Sequence, residues 1–449
     1  MNNLPKIKIG KKPNYIKFGK DLDFYALFEK IEQEFKFCFI LESLGEEEKF
    51  SRYSIIGFDP KHLISAKGNN LKVDEKNYEV ENPYYALREM MPEKTIARSY
   101  AGGLIGYLSY DAINYMEPSV NVKVHPLFDQ FIFGVYTDGL IFDKLTNELF
   151  YFYYSVNRIE TVKKLLKNKI KKESLSIKFI MDELTEKEHK IIVERVKKQI
   201  VSGNTFQCEV GFKSEYEIKG DALKIYANLR KVNPSPFMYF IKFSEKKIIG
   251  ASPELLFSLR DGEMTTKPLA GTTKRGKDEN EDRYLARMLL NDPKEKAEHN
   301  MLVDMHRNDI GRVAKFGTVR VRDLMSIKKF SHVQHISSEV TGIINTDEDM
   351  FSGLASNFPM GTVCGTPKVE TIKIIDKNEL QARGPYGGGV GQFDFNGDCT
   401  FALALRTLFI SENFAYTQTS GGIVYDSVAE KEYQEITRKL AAMKKTLTL

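Results

Sequence analysis

Cysteine is scarce and carries no pairing pattern. Four residues, Cys38, Cys208, Cys364 and Cys399, stand far apart without CxxC spacing. That excludes a thiolate zinc site and a disulfide framework, and fits free thiols in a reducing cytoplasm. No apolar run reaches about 18 residues, so no membrane span is expected. The opening Met1-Asn-Asn-Leu-Pro-Lys6 lacks an apolar signal core. An excess of one charge is also missing: 66 basic residues face 61 acidic ones, a net of +5. The lysine runs at 6–12 and 163–172 have no interleaved aromatic pairs, so they read as solvated faces and no nucleic acid partner is expected. Internal repeats and low-complexity tracts are absent. What is present is ordinary: 42% hydrophobic and 28% charged residues over 449 positions, long enough for two or three domains with a large core.

Along the chain, 21–35 has helical spacing and 37–41 reads as a buried strand. Strand formers are dense at 103–109, 130–137, 139–142 and 149–155, with a hairpin turn at Leu145-Thr-Asn-Glu148. A lysine-rich helix over 158–172 leads into Lys172-Glu-Ser-Leu-Ser-Ile-Lys178, the best linker candidate. Thr185, with Glu188 three residues on, opens a helix to Val201. Strands and helices then follow in no simple alternation. That argues for an α+β fold of antiparallel sheets with helices outside, an intertwined two-subdomain β-sandwich rather than a doubly wound parallel sheet. The expected division is 1–180 and 181–449, with strands pairing across it.

One stretch draws the chemistry together. Asp292 to Gly311 reads as a helix with Asp292 as cap, Pro293 at the first position, Glu295 completing a capping box and Gly311 as a left-handed stop. Ala297, Met301 and Met305 form its expected buried stripe. Glu298 lies beside that stripe, where an unpaired carboxylate costs several kcal/mol. Far away, Glu432, Glu435 and Lys439 share one face of a second helix. Two inward acidic faces suit a hard cation such as Mg²⁺, which takes oxygen ligands and keeps several waters. For either helix alone, a solvated charged face explains the pattern as well.

Four stretches set polar groups among turn glycines and apolar strands. In Gly250–Phe257, partial burial of Glu254 would raise its pKa and suit it to general-acid work, an edge carboxylate being as good a reading. The following Lys267–Gly276 brings Gly271 and the Thr272 hydroxyl. In Phe330–Ser338, alternation places His335 with Val333 and His332 opposite; one such imidazole is a base or, more commonly, a satisfied core histidine. The glycine-rich 358–368 and 383–391 stretches resemble anion-binding turns before helices, without Walker spacing. In Phe401–Leu408, Arg406 is expected to share a strand face with Ala402 and Ala404, leaving room to grip a carboxylate through two parallel bonds. Summed, these suggest a small dianion, one carboxylate on Mg²⁺ at Glu298 and Glu435, the other on Arg406 and Tyr386.

The same motifs, taken in order, resemble the chorismate-utilising enzymes: Gly250–Phe257, the Pro-Leu-Ala-Gly-Thr272 loop, Ala297-Glu-His-x-x-Leu-Val-Asp-x-x-Arg-Asn-Asp309, Gly361-Thr-Val-x-Gly-x-Pro-Lys368, Arg383–Gly388 and Gly422-Ile-Val-x-Asp-Ser427. Within the family the likeness is to the anthranilate synthase component I branch, strong from about residue 185 onward. Gln207 stands where water-adding relatives carry a lysine, which favours ammonia. Ala270 stands where aminodeoxychorismate synthases carry one. The alternatives are the aminodeoxychorismate synthase component I branch and a non-catalytic tryptophan-binding homologue.

The resemblance implies Mg²⁺ on Glu298 and Glu435, with Glu295 and Glu432 around them. It implies Glu254 as acid and His335 as base, with Thr362 and Lys439 in the catalytic set. Gly271, Thr272, Tyr386, Arg406, Ser420, Gly421 and Gly422 would hold chorismate. Glu42, Ser43, Pro236, Phe237 and Met238 match a tryptophan feedback site. Ammonia would come from a separate glutamine amidotransferase subunit, in a hetero-oligomer, because none of the cysteines sits in a Gly-x-Cys-x-Gly nucleophile turn. Three positions depart from the family: Ser420 where glycine is usual, Gln392 in place of an aromatic, and Cys208-Glu-Val-Gly211 in a usually apolar strand.

Overall fold

The computed structural model describes residues 4–18, 22–44, 52–97, 100–171, 173–330 and 333–447. The period-two runs become strands of two antiparallel sheets, each of 12 strands among the described residues. Alternation decides which side chains meet. Along Phe237–Phe243, Met238 and Phe240 face one cluster while Tyr239, Ile241 and Phe243 face the other. Between the sheets, Phe39 meets Tyr136 edge-on at 4.7 Å and Tyr107 meets Phe243 at 6.5 Å. On the other side of the first sheet, helices Phe24–Glu34 and Leu223–Val232 supply Phe28 and Tyr226 against Phe240.

The halves are interwoven, as the strand pattern implies. Phe37–Glu42 pairs with Phe237–Phe243, and Gly103–Leu108 pairs with Gly389–Asp394. The expected linker is partly something else: from Leu175 the chain is already a strand, Leu175–Asp182, pairing with Gln207–Gly220. Ile177 and Leu175 find apolar cover there, which the flanking lysines conceal in the sequence. The 145–148 turn closes the Asp138–Asp143 and Glu148–Tyr153 hairpin, with Asn147 at φ 54°. Thr185 and Glu188 form the expected reciprocal cap of Glu186–Val201. All four cysteines are buried free thiols. No helix among the described residues is long and apolar enough to cross a membrane.

The chain passes from one sheet to the other several times, and two neighbouring passages place the site. Lys246–Ser252 lies in the first sheet and Leu255–Arg260 in the second, so Pro253 and Glu254 make the passage. Cys399–Leu403 and Thr407–Ser411 make the reverse one through residues 404–406. Leu403 N–H donates to the Glu254 carbonyl at 3.1 Å and Ala251 N–H donates to that of Arg406 at 3.3 Å, tying the crossings together. The expectation of one unbroken strand over 401–408 therefore fails. Arg406 sits in the break with φ 48°, a left-handed backbone that a strand excludes.

A buried ion pair braces the glycine-rich loop beside these crossings. Arg383 donates to both carboxylate oxygens of Glu379 at 2.8 and 2.7 Å, and to the carbonyls of Val363 and Glu209 at 2.6 and 2.7 Å. Replacing Glu379 by glutamine strands that guanidinium, since both groups are buried. The expected cost is about 3–5 kcal/mol, read as a lower urea midpoint at unchanged slope. An unchanged midpoint would contradict the bracing role.

Candidate active site

The first acidic helix forms as Pro293–Gly311 with Asp292 accepting from the Lys294 and Glu295 amides at 2.8 and 3.1 Å. Three details differ from expectation. Glu295 does not close a capping box; its carboxylate lies toward Gly271, where an added Cβ would come within 2.8 Å of Oε2. Gly311 stays helical instead of turning left-handed. Ala297 is exposed and Met301 half-buried, while His299, Leu302, Val303 and His306 form the buried stripe with Met305. Two neutral histidines occupy core positions, their pKa values pushed down to about 4 and 3 by burial. Each finds a hydroxyl: His299 Nε2 meets Ser338 at 2.7 Å and His306 Nδ1 meets Thr266 at 3.0 Å.

Glu298 points inward beside that stripe, its Oε1 accepting from Gln207 Nε2 at 3.2 Å. The second acidic helix, Ala429–Leu447, packs on the Phe414–Ile423 strand and brings Glu432, Glu435 and Lys439. Lys439 pairs with Glu435 at 2.8 Å and donates to the Ser420 carbonyl at 3.0 Å. Glu295 is raised above the ordinary carboxylate range by burial, then by Glu298, with Glu435 contributing. Glu432 is raised by burial too, with Glu435 adding. The two distant helices thus crowd four carboxylates together. No three His, Cys, Asp or Glu side chains converge as a closed metal cluster among the described residues. Oxygen donors few in number and rich in charge fit Mg²⁺, which completes its shell with water and substrate.

At the crossings, Glu254 is 3% exposed. Burial pushes its pKa up to about 8, against the Leu269 amide that donates to Oε1 at 3.1 Å. The Thr362 hydroxyl opposes the rise from nearby, yet has no hydrogen-bond geometry to any described group. Below pH 8 Glu254 is therefore a neutral acid. Arg406 lies close enough to feel it, and burial pushes the guanidinium below its ordinary pKa. Arginine remains a cation even so. Among the described residues nothing accepts a hydrogen bond from its half-buried side chain, so the cation lies beside Glu254 without a hydrogen-bonded counter-charge.

His335 lies on Val333–Ile343, directly across from Thr272 in the neighbouring strand. Its Nδ1 is 3.0 Å from the Gly271 carbonyl and 3.1 Å from Thr272 Oγ1. A carbonyl only accepts, so Nδ1 carries the proton and Nε2 keeps a bare lone pair. Nε2 is buried without a partner, and burial pushes the pKa down to about 4. The ring is a neutral base. Gly271, at φ 64°, makes the bend that presents its carbonyl. His332, expected on the opposite face, lies outside the described residues.

Tyr386 is buried and shares a hydrogen bond of 2.9 Å with Ser420 Oγ. Ser420 Oγ donates in turn to Glu209 Oε2 at 2.9 Å. Gly421 and Gly422 continue that strand, and a Cβ added at Gly422 would come within 2.5 Å of Gln207 Nε2, displacing that side chain. The 383–391 stretch enters the Gly389–Asp394 strand, not a helix. Glu209 itself was not singled out as a site residue, although alternation along Gln207–Gly220 puts it on the face of Gln207. A carboxylate among the apolar neighbours Cys208, Val210 and Phe212 is the available signal.

The residues matched to a tryptophan site also come together. Met238 lies across from Glu42 in paired strands, and Leu44 N–H donates to the Ser235 carbonyl at 3.0 Å. Pro236 and Phe237 are half-buried at the start of the Phe237–Phe243 strand. Ser43 is buried with its hydroxyl unpartnered. Glu42 is already held by Arg230 Nε and by the Tyr226 hydroxyl, each at 2.7 Å. Met238 also pairs with Ala251, three residues before Glu254, so the two sites are one strand apart.

With that geometry in place, comparison with known proteins is direct. The model of the family described as chorismate binding enzyme matches residues 36–445. Anthranilate synthase component 1 of Leptospira biflexa is 51% identical, the match covering 99% of this chain and 98% of that protein. The protein of the same name from Methanothermobacter thermautotrophicus is 37% identical over 95% of this chain and 92% of its own. The crystal structure of anthranilate synthase component I from Streptococcus pneumoniae superposes with a TM-score of 0.79 at 31% identity, covering 88% of this chain and 93% of that one. Two buried sheet crossings, a neutral acid beside an uncompensated arginine and a facing neutral histidine are thus set in a chain that belongs to the chorismate binding enzyme family.

Proposed function

We propose that this chain aminates chorismate with ammonia and eliminates pyruvate to give anthranilate, the first committed step toward tryptophan. The observation that carries the reading is the proximity of a buried Glu254 to Arg406. Because Glu254 is neutral below about pH 8, it leaves the neighbouring cation free to hold a substrate carboxylate. Arg406, Tyr386 and the Ser420–Gly422 backbone take the enolpyruvyl carboxylate, with Gly271, Thr272, Thr362 and Lys439 completing the pocket. Glu298 and Glu435 would hold Mg²⁺, with Glu295 and Glu432 as the outer carboxylates; when bound, the metal would supply electrostatic anchoring of the ring carboxylate.

Glu254 gives its proton to the departing 4-hydroxyl as ammonia bonds to C2, forming aminodeoxyisochorismate. His335 Nε2 then accepts the C2 proton and pyruvate leaves as the ring aromatises. Aromaticity drives that second step, and the protein contributes alignment and charge stabilisation. His335→Ala is therefore expected to aminate chorismate but stall before aromatisation: aminodeoxyisochorismate accumulates while anthranilate formation falls by about 10²-fold or more. Full-rate anthranilate from that variant, followed by chromatography, removes His335 from the mechanism.

The division into a tryptophan-site half, 1–180, and a chorismate-binding half, 181–449, belongs to the same proposal. So do tryptophan inhibition through Glu42, Ser43, Pro236, Phe237 and Met238, delivery of ammonia by a glutamine amidotransferase subunit, and a cytoplasmic setting, which the four buried free thiols suit. The test is a product assay: protein, chorismate, Mg²⁺ and ammonium, watched for anthranilate fluorescence with and without tryptophan. Anthranilate appearing directly supports the reading. A non-fluorescent aminodeoxychorismate that needs a further lyase assigns the other branch, and no turnover with retained tryptophan binding leaves a regulator.

A further inference from the structure

We propose that Glu209 accepts the proton that ammonia sheds as its nitrogen bonds to the ring, while Gln207 turns ammonia's lone pair toward that ring; the proposal rests on the amination reading above. Position comes first. Gln207 and Glu209 share one face of the Gln207–Gly220 strand. The Gln207 amide donates to Glu298 Oε1 at 3.2 Å and to Glu209 Oε1 at 3.4 Å, so it spans the gap between them. Glu298 marks the end of the site assigned to the ring carboxylate, and C2 is the ring carbon next to the one bearing that carboxylate. The pair therefore borders the atom that receives nitrogen.

Ammonia offers three N–H donors and one lone pair. To attack, the lone pair must face C2, which needs acceptors on the opposite side. Gln207 Oε1 is such an acceptor, buried and without a hydrogen-bond partner. Glu209 Oε1 is the second, since Oε2 already receives the Ser420 hydroxyl. The strand cannot shift to avoid the role. Glu209 N–H donates to the Cys364 carbonyl at 2.7 Å, and its own carbonyl receives Arg383 at 2.7 Å.

The proton balance leaves work for such an acceptor. The C2–N bond forms, the two ring double bonds each move one position, and the C4–O bond breaks. The hydroxyl takes a proton from Glu254 and leaves as water. Nitrogen, its lone pair spent, is left a cation and loses one proton to the Glu209 carboxylate, giving the neutral amine. One proton leaves an acid and one enters a base.

The experiment compares wild type with Glu209→Gln in three assays. The proposal expects kcat/KM for ammonium to fall about 10²-fold, while supplied aminodeoxyisochorismate becomes anthranilate at the wild-type rate and the Mg²⁺ concentration for half-maximal activity stays put. Glu209→Asp, which keeps the carboxylate, recovers part of the ammonium rate. Unchanged kcat/KM for ammonium overturns the proposal. An equal loss on aminodeoxyisochorismate makes Glu209 structural, and a raised Mg²⁺ requirement makes it a metal ligand; either also overturns it. Wild type that makes no anthranilate from ammonium sinks the amination reading, a result separate from these three.

Discussion

Glu254→Gln is expected to lower anthranilate formation from chorismate and ammonium by about 10²- to 10⁴-fold, the span of a lost general acid. Glutamine keeps the shape and can still receive the Leu269 amide that Glu254 receives at 3.1 Å, so folding and chorismate affinity should survive. What disappears is the proton for the departing hydroxyl. Burial is the cause of that proton's availability, since it holds the carboxyl at about 8. The acid form is full well below that pH and is lost as pH rises through it. Free ammonia grows over the same alkaline range, so the wild-type rate should pass through a maximum. The variant should lose the alkaline decline and follow ammonia alone. Equal rates for both proteins, or an unaltered pH profile, would take Glu254 out of the chemistry.

Glu298→Gln should abolish Mg²⁺-dependent turnover. The change is small in volume but removes the one carboxylate of the first helix that reaches the Gln207 amide. It also removes the charge that, together with Glu435, raises Glu295. A hard divalent cation bound by few protein oxygens depends on the charge of each. The companion observation should be a lower affinity for Mg²⁺ by calorimetry with the fold intact, and relief of Glu295, which returns toward its ordinary range. Near-normal turnover with ordinary Mg²⁺ dependence would contradict the assignment of the metal to these helices.

Candidate site residues are legible in the sequence where a residue type conflicts with its surroundings. Glu254 before an apolar strand, and Glu298 beside a buried helix stripe, both announce themselves that way. Periodicity also gave the strands, their pairing across 172–178 and the Thr185 cap. It failed where tertiary contacts outvote local pattern. Histidine is not an obvious core residue, so local pattern favours Ala297 and Met301 over His299 and His306, whose burial is supported by the hydroxyls of Ser338 and Thr266. Arg406 reads as a strand residue because Phe401–Leu408 is apolar apart from Arg406 and Thr407; nothing local reveals that the chain changes sheets there. Glu209 carried a visible signal, yet its partner Ser420 is 211 residues away and its proximity is a matter of strand register. Sequence separation of that size is where pattern reasoning loses its grip.

The central claim is a cation bridging two acidic helices so that a ring-borne carboxylate docks opposite Arg406. Its most direct measurement is a crystal soaked with Mn²⁺ in place of Mg²⁺ together with benzoate, read by the anomalous signal of manganese. The account predicts one peak between Glu298 and Glu435, with the benzoate carboxylate on the ion and its ring pointing toward Arg406. Glutamates turned out to solvent, with the peak elsewhere or missing, would contradict it.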